Sequence, residues 1–203
     1  MLLHISNVRT SFLYCFEPYV GKPSPQVPKP KPIFKSDFLM APTHPDLARV
    51  AATIEEVGNA CKWKKDLTWV VVKESMKATN TLCLKKGDVA QPGDPAYAGQ
   101  FFLKGSNKQR FTVIDGDRTP LTAESGRPLS GDWVNAIVDI WAQDNEWGRR
   151  INCTITGIQF LRADEHFGSG AQAADPDEFG IVAASADQPT PQGATDPLAG
   201  LVG

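Results

Sequence analysis

Alternating apolar and polar residues predict a β-strand near the N-terminus. Over residues 5–17 a period of two separates two faces. One face carries Val8, Thr10, Phe12, Tyr14 and Phe16, and the other carries Arg9, Ser11 and Leu13. Six prolines between residues 18 and 32 then predict an extended loop, which carries three lysines and no acid. A short strand is predicted to resume over residues 33–40.

A helical period follows in residues 43–65. Thr43 or His44 is expected to cap this helix, with Pro45 in its first turn. The helix is predicted to end in a run of three lysines and one tryptophan at residues 62–65. Residues 67–86 are ambiguous, because TWVVV favours a strand and VKESMKA favours a helix. The apolar residues on one face of the predicted helix are Leu47, Val50, Ala51, Ile54 and Val57.

Four further strands are predicted in the second half of the chain. They are GQFFLKG (residues 99–105), RFTVID (110–115), DWVNAIVDIWAQ (132–143) and RRINCTITGIQFLR (149–162). A turn at residues 115–117 follows the second of them, and DNEWG at 144–148 joins the last two in a hairpin. This order of elements predicts a mainly β protein of the α+β class, with one or two helices and a small barrel or curved sheet.

The strand at residues 99–105 contains the most informative pattern. Phe101 and Leu103 point to one face, whereas Phe102 and Lys104 point to the other. Arg110 lies on the corresponding face of the next strand. If the apolar sets form the core, the exposed surface combines an aromatic ring with two cations, which suits stacking on bases and pairing with phosphates in unspecific single-strand binding. The alternative is that the helix or a second subunit covers Phe102.

Two tryptophans in the strand at 132–143 are also candidates. Trp133 and Trp141 share a face, and both faces of this strand contain apolar residues. Either ring is a stacking platform or packs beneath the helix, and packing is favoured for Trp141. Arg150 begins a polar face on the following strand and is a candidate phosphate contact.

Charge divides the chain into two parts. Residues 168–203 contain five acids and no Lys or Arg, while the rest has 21 bases against 18 acids. Ten of those bases, against four acids, lie between residues 61 and 110. Such a local excess attracts polyanions, although a solvated face also explains it. The acidic segment is rich in Ala, Gly, Pro and Asp, and its composition predicts a flexible tail.

Several classes of protein are disfavoured by what the chain lacks. No export signal or membrane-spanning run is found, so a soluble, intracellular protein is expected. Cys15, Cys61, Cys83 and Cys153 form no CxxC pair, and we expect reduced, mostly buried thiols with no metal site. There is no phosphate-binding glycine loop, GxSxG or HExxH, so we predict a protein with neither enzymatic activity nor a cofactor.

Three segments resemble a known family when they are taken in order. GQFFLKGSNKQRFTVID, LSGDWVNAIVDIWAQDN and RINCTITGIQFLRADEHFG resemble the single-stranded-DNA-binding proteins of tailed bacteriophages. NVRTSFLYCFEP and FKSDFLMAPTHP are also similar to the opening strands and helix entry of that family. The resemblance spans roughly residues 5–168. Leu129 departs from the family pattern, which has an aromatic residue before the SG of the LSGDWV motif.

The resemblance implies an OB-fold domain over residues 1–168, followed by a tail over 169–203. It implies a protein that coats single-stranded DNA during phage replication or recombination, as a dimer or higher oligomer, in the cytoplasm of an infected bacterium. Lys35, Lys104, Asn107 and Arg110 match positions where strand contacts are expected. Tails of such proteins recruit phage or host replication proteins through acids and a terminal aromatic. The corresponding residues here are Asp175, Asp177, Glu178 and Phe179.

Two functional hypotheses therefore come from the sequence. The first is DNA binding through stacking and through contacts between cations and phosphates. The second is a structural or decoration protein of a phage that uses the same β surface for subunit contacts. The candidate DNA-binding residues are Arg9, Lys35, Lys62, Trp63, Lys64, Lys65, Phe102, Lys104, Asn107, Lys108, Arg110, Trp133 and Arg150.

Overall fold

A computed structural model describes residues 1–25 and 27–167 and contains seven strands and three α-helices. The strands are β1 (Leu2–Tyr19), β2 (Ile33–Met40), β3 (Leu84–Lys86), β4 (Phe101–Asn107), β5 (Thr112–Ile114), β6 (Trp133–Asn145) and β7 (Gly148–Arg162). The helices are α1 (Leu47–Ala60), α2 (Trp69–Ala78) and the single-turn α3 (Gly87–Ala90). Among the described residues, none of these helices combines the length and the apolar character needed to cross a membrane.

Five of the strands close into a barrel. The strand order is β3-β4-β2-β1-β6-β7-β5, and a further parallel contact between β4 and β7 joins Ser106 to Thr154. The barrel therefore consists of β1, β2, β4, β7 and β6, which is the connectivity of an OB fold. This confirms the prediction of a mainly β, OB-like barrel with few helices.

Strand β1 is long and bends around the barrel. Its pairing shifts register between Ile5 and Val8 against β6, and again after Ser11 against β2. Positive φ angles of 51° at Asn7 and 48° at Phe12 accompany these irregularities. Each irregularity resets which face a side chain occupies, so Ile5 and Val8 are both buried although they are three residues apart, and Phe12 is exposed although Thr10 is buried. The strict two-face assignment predicted for residues 5–17 is therefore wrong.

The hydrophobic core fills the barrel and continues beneath the helices. Phe38 and Met40 of β2 and Leu103 of β4 point inwards, together with alternate residues of β6 and β7. The α-helices add to the same core through Val50 and Ile54 of α1 and through Val72 and Met76 of α2. The apolar spacing that predicted α1 therefore marks its buried face, except at Ala51, which is exposed.

Helix α1 begins and ends differently from the prediction. Asp46 is its N-cap, and the ring of His44 accepts a hydrogen bond from the Asp46 N–H at 3.1 Å. The helix ends at Ala60, before the lysine run. Residues 67–86, which were ambiguous, form helix α2 followed by strand β3.

Trp63 belongs to the contact between the helices and is 5% exposed. Its ring stacks on Trp69 with centroids 5.8 Å apart, and its Nε1–H donates to the Gly58 carbonyl at 2.8 Å. The prediction of Trp63 as a DNA-binding residue is inconsistent with this burial, because the ring has no face left for a base. The prediction placed Trp63 in the last turn of the helix, whereas it lies beyond the end of α1 and packs against Trp69 of α2.

Replacing Gly58 with Ala tests the close approach of the two helices. An added Cβ would lie 2.3 Å from ring atoms of Trp69, a distance that requires α2 to move. We expect Gly58→Ala to lower the free energy of unfolding by about 1 to 3 kcal/mol in urea denaturation, as overpacking does elsewhere. Gly116→Ala is the control, since its added Cβ meets only the Phe160 carbonyl oxygen, at 3.8 Å. Equal stability of the two variants would contradict the prediction.

Candidate nucleic-acid interface

The outer face of β2 and β4 carries most of the candidate chemistry. Lys35 and Asp37 of β2 lie opposite Ser106 and Lys104 of β4, and Leu39 lies opposite Phe102. Alternation along both strands directs these side chains away from the core. The face has two halves, of which the half with Leu39 and Phe102 is covered and the half with the lysines is open.

Phe102 is 1% exposed, so the prediction that it is exposed beside Lys104 and Arg110 is wrong. The assignment of Phe102 to the outer face is correct, but the segment between β3 and β4 crosses over it. Tyr97 of that segment packs its ring edge-on against Phe102, with centroids 4.9 Å apart. The Tyr97 hydroxyl also donates to Asp37 Oδ2 at 2.9 Å, which fixes the cover to the sheet.

Lys35 lies among three aromatic rings. Its Nζ is 3.6 Å from the ring centroid of Tyr19, 5.1 Å from that of Tyr14 and 5.6 Å from that of Phe12. Phe12 is 43% exposed, at the point where β1 loses its regular pairing with β2. Rings and an ammonium group at these distances attract one another, and the exposed ring faces can also receive a base.

Lys35, Lys85 and Lys104 surround the buried carboxylate of Asp37, and the surface that these three lysines form is called the lysine face below. Burial lowers the pKa of Lys35, and the neighbouring charge of Lys104 lowers it further, while Asp37 opposes both effects. Burial and Lys104 likewise lower the pKa of Lys85 on β3. Burial raises the pKa of Asp37, against the influence of Lys104 and the hydrogen bond from Tyr97. The lysines therefore repel one another, and a phosphate group placed among them would relieve that repulsion.

A groove of about 370 Å³ continues this surface to the closure between β4 and β7. Lys85, Lys104 and Lys108 line it together with Trp141. Trp141 is 40% exposed, and its Nε1–H donates to Thr154 Oγ1 at 2.9 Å. The prediction favoured packing of this ring beneath the helix, and it is wrong, because the outer face of β6 at this position borders the groove.

Arg9 and Trp133 hold the end of the described chain. The Arg9 guanidinium donates to the carbonyl oxygens of Gly131 and Glu165 and lies 4.1 Å from the ring centroid of Phe167. Trp133 donates from Nε1 to an Asp164 carboxylate oxygen at 2.6 Å. Both side chains are engaged in contacts within the protein, so the structure gives them a structural role apart from the lysine face.

The remaining candidates are distributed around the groove and the β6–β7 hairpin. Asn107 uses its amide within the fold, donating to the Ile155 carbonyl at 2.8 Å and accepting from the Gln109 N–H. Arg110 is exposed, with its guanidinium 5.4 Å from the ring centroid of Phe16. Lys62 is exposed, and Lys64 and Lys65 border a second groove with Arg150. Asp175, Asp177, Glu178 and Phe179 lie outside the described residues.

Other residues of this surface were missed by the sequence analysis as site residues. Phe12, Tyr14 and Tyr19 were assigned to a strand face or a loop, and Lys85 was counted only as part of a basic stretch. The aromatic density of FLYCFEPY next to a lysine-rich loop was the available signal.

Within residues 1–25 and 27–167, no group of three or more His, Cys, Asp or Glu residues is arranged to hold a metal ion.

The model of one protein family matches most of the chain. The model described as Enterobacter phage Enc34, ssDNA-binding protein, matches residues 1–189. The chain belongs to this family. The resemblance noted in the sequence is thereby confirmed.

Relatives of this family member span most of its length. The putative protein p50 of Acyrthosiphon pisum secondary endosymbiont phage 1 is 32% identical over 180 residues, which is 88% of this chain and 92% of the relative. A structure of the Enc34 single-stranded DNA-binding protein in complex with ssDNA has a TM-score of 0.62 and 22% identity, covering 82% of this chain and 89% of that one. Gp2.5 of bacteriophage T7 has a TM-score of 0.51 and 14% identity, covering 91% and 99%. These likenesses show a shared fold.

The mutual repulsion of the lysines in this family member is testable without a ligand. We expect Lys104→Gln to raise the pKa of both Lys35 and Lys85, because it removes a neighbouring positive charge from each. Both values should remain below that of an ordinary lysine, since burial is unchanged. NMR titration of the lysine side chains measures these shifts. Lys77→Gln on α2 is the control and should leave both values unaltered, whereas unchanged values in Lys104→Gln would refute the proposed coupling.

Proposed function

We propose that this protein binds and coats single-stranded DNA with little sequence specificity through the outer face of β2 and β4. The observation that carries the proposal is the cluster of Lys35 with Phe12, Tyr14 and Tyr19, which continues through Lys104 to Trp141. Rings that receive bases and cations that pair with phosphates are interleaved on one open surface. Single-strand binders of the OB fold combine these two features.

Family membership supports the same conclusion. The Enc34 protein is named a single-stranded DNA-binding protein, and one of its structures is a complex with ssDNA. The present chain shares its barrel. We infer that the ligand is shared as well, and that the protein acts in phage replication or recombination in the cytoplasm of an infected bacterium.

Weak sequence preference follows from the types of side chain on the face. Every base offers a flat face to a ring, so stacking on Phe12 or Trp141 does not distinguish one base from another. Lysine ammonium groups are point charges that pair with phosphates, and they lack the fork geometry with which arginine reads guanine. Binding of this kind is unspecific and strongly dependent on salt.

Coating implies that several copies occupy one strand. We therefore propose a dimer or higher oligomer on DNA, with replication proteins of the phage or host as further partners through Asp175, Asp177, Glu178 and Phe179. Analytical ultracentrifugation with and without oligo-dT distinguishes this from a structural protein. Large assemblies that form without DNA would favour the structural function.

Two single variants separate the proposed roles of charge and ring. We expect Lys104→Ala to weaken binding to labelled oligo-dT and to reduce the slope of log affinity against log salt by about 0.7, the value for one single-strand phosphate contact. We expect Phe12→Ala to weaken binding by about 1 kcal/mol or more while leaving the slope unchanged, because it removes a stacking surface and no charge. Fluorescence anisotropy at several salt concentrations measures both.

Lys77→Ala is the matched control for these variants. Lys77 lies on α2 and pairs with Glu74 at 2.7 Å, so it is a lysine outside the proposed face. Its loss should leave affinity and slope within error of the unaltered protein. The proposal fails if the unaltered protein does not bind oligo-dT at low salt, or if Lys77→Ala and Lys104→Ala have equal effects.

We also propose that the acidic tail competes with DNA for the lysine face. Phe167, the last described residue, packs against the cluster of Leu39, Tyr97 and Phe102. Leu39 and Phe102 lie two residues, about 7 Å, along their strands from Asp37 and Lys104. The last described residue therefore packs on the covered half of the outer face, and five acids follow it in the sequence.

Deletion of residues 171–203 tests this competition. We expect an intact fold by circular dichroism and a modest increase in affinity for oligo-dT at low salt, because five acids no longer compete with phosphate. A full-length variant with these acids replaced by Asn and Gln is the control for length and should match the truncation. Weaker binding after truncation would exclude competition.

A further inference from the structure

The tip of the β6–β7 hairpin carries the most exposed large aromatic side chain among the described residues. Trp147 is 74% exposed and lies beside a groove of about 440 Å³. Lys64 and Lys65 border this groove from the segment between α1 and α2, and Arg149 and Arg150 border it from β7. An exposed ring beside cations is the combination that stacks on a base while the cations pair with phosphates.

The groove is firmly built. Asp144 Oδ2 accepts a hydrogen bond from the Lys64 backbone N–H at 2.6 Å and one from Arg149 Nε at 3.3 Å. Arg149 Nη2 also donates to the Lys64 carbonyl oxygen at 3.4 Å. The hydrogen bond from the Lys64 N–H, and then Arg149, lower the pKa of Asp144, so this carboxylate stays charged. These contacts hold the two segments together and leave the side chains of Lys64, Lys65 and Arg150 exposed.

The groove adjoins the proposed DNA-binding face on β2 and β4, which is called the barrel face below. Thr81 borders both this groove and the one that contains Lys104 and Trp141. Arg150 is close enough to Lys85 for its charge to lower the pKa of that lysine. Along β6 and β7 the paired residues Trp141 and Asn152 are followed, two residues nearer the tip, by Gln143 and Arg150. Cations therefore line two adjoining grooves that lie between the barrel face and the hairpin tip.

We propose that Trp147, Lys64 and Lys65 form a second strand-binding site, at which a base stacks on Trp147 and the lysines pair with the adjacent phosphates. This inference rests on the proposed function and extends it. A strand that leaves the β2–β4 face past Trp141 continues along β7 to the hairpin tip. The two sites together bind a longer stretch of DNA than the barrel face alone.

Oligonucleotide length separates the two sites. The test compares the affinity of the full chain for oligo-dT of about 5 and about 10 nucleotides, two lengths within the range that one OB fold covers. We expect Trp147→Ala to weaken binding of the longer oligonucleotide about 5-fold or more, as for the loss of one stacked base, and to leave the shorter one unchanged. Trp147→Phe retains a ring and should restore most of the affinity.

The lysines are tested by a double variant, Lys64→Gln with Lys65→Gln. The hydrogen bonds of Lys64 to Asp144 and Arg149 are made by its backbone, so the substitution leaves them in place. We expect the salt slope for the longer oligonucleotide to fall by about 1.4, the loss of two phosphate contacts, with no change for the shorter one. Leu161→Ala, an exposed apolar residue at the far end of β7, is the matched control and should behave as the unaltered protein.

The outcomes also separate this inference from the proposed function. If Trp147→Ala leaves the longer oligonucleotide unaffected, or weakens both lengths equally, the second site is refuted while the barrel face stands. If Trp147→Ala instead changes the oligomeric mass of the protein in solution without DNA, the hairpin is an interface between copies and the inference is also refuted. If Lys104→Ala leaves binding of the shorter oligonucleotide unaltered, the barrel-face proposal fails independently of Trp147.

Discussion

The contact between β4 and β7 closes the barrel, and the arrangement of the whole surface depends on it. Gly105 permits this contact, because a Cβ at that position would lie 2.6 Å from Ile155 Cγ1. Closure places Ser106 of β4 beside Thr154 of β7. Side chains that are distant in sequence, such as Lys104 and Trp141, then line one groove. An open sheet made of the same strands would separate the cations from this ring.

Asp37 connects the two halves of the outer face. Its carboxylate accepts a hydrogen bond from the Tyr97 hydroxyl and so fixes the segment that covers Phe102. The same carboxylate lies among Lys35, Lys85 and Lys104. A buried carboxylate is unfavourable unless it is compensated, and here a hydrogen bond from Tyr97 and the charges of the nearby lysines favour the charged form. The same residue therefore stabilises the covered half and limits the repulsion in the open half.

Local patterns predicted the elements well, and nonlocal contacts explain the failures. The limits of β2 match the prediction, and α1, β4, β6 and β7 deviate from it by a few residues, because period and turn residues act within a short stretch of chain. The face of Phe102 was also correct. Its burial depends on Tyr97, which reaches the sheet only because a separate segment folds over it. Similarly, Trp63 is buried by Trp69 of the next helix, which no periodicity within residues 43–65 indicates.

The candidate site was only partly predictable for the same reason. Lys35 and Lys104 were identified as candidate contacts, but their neighbours come from other strands. Tyr19 meets Lys35 because β1 and β2 pair across a proline-rich loop of thirteen residues, 20–32. Irregular pairing in β1 directs Phe12 outwards, and a strict alternation cannot represent such a bulge.

The position of Lys35 among three rings has a consequence for the free protein. Tyr14 and Tyr19 contact each other, with ring centroids 5.1 Å apart. The Lys35 ammonium group is attracted to both of these rings and to Phe12. These contacts hold the aromatic side chains in place before DNA arrives. Less reorganisation is then needed when a strand arrives, so part of the ordering entropy of binding is already expended in the folded protein.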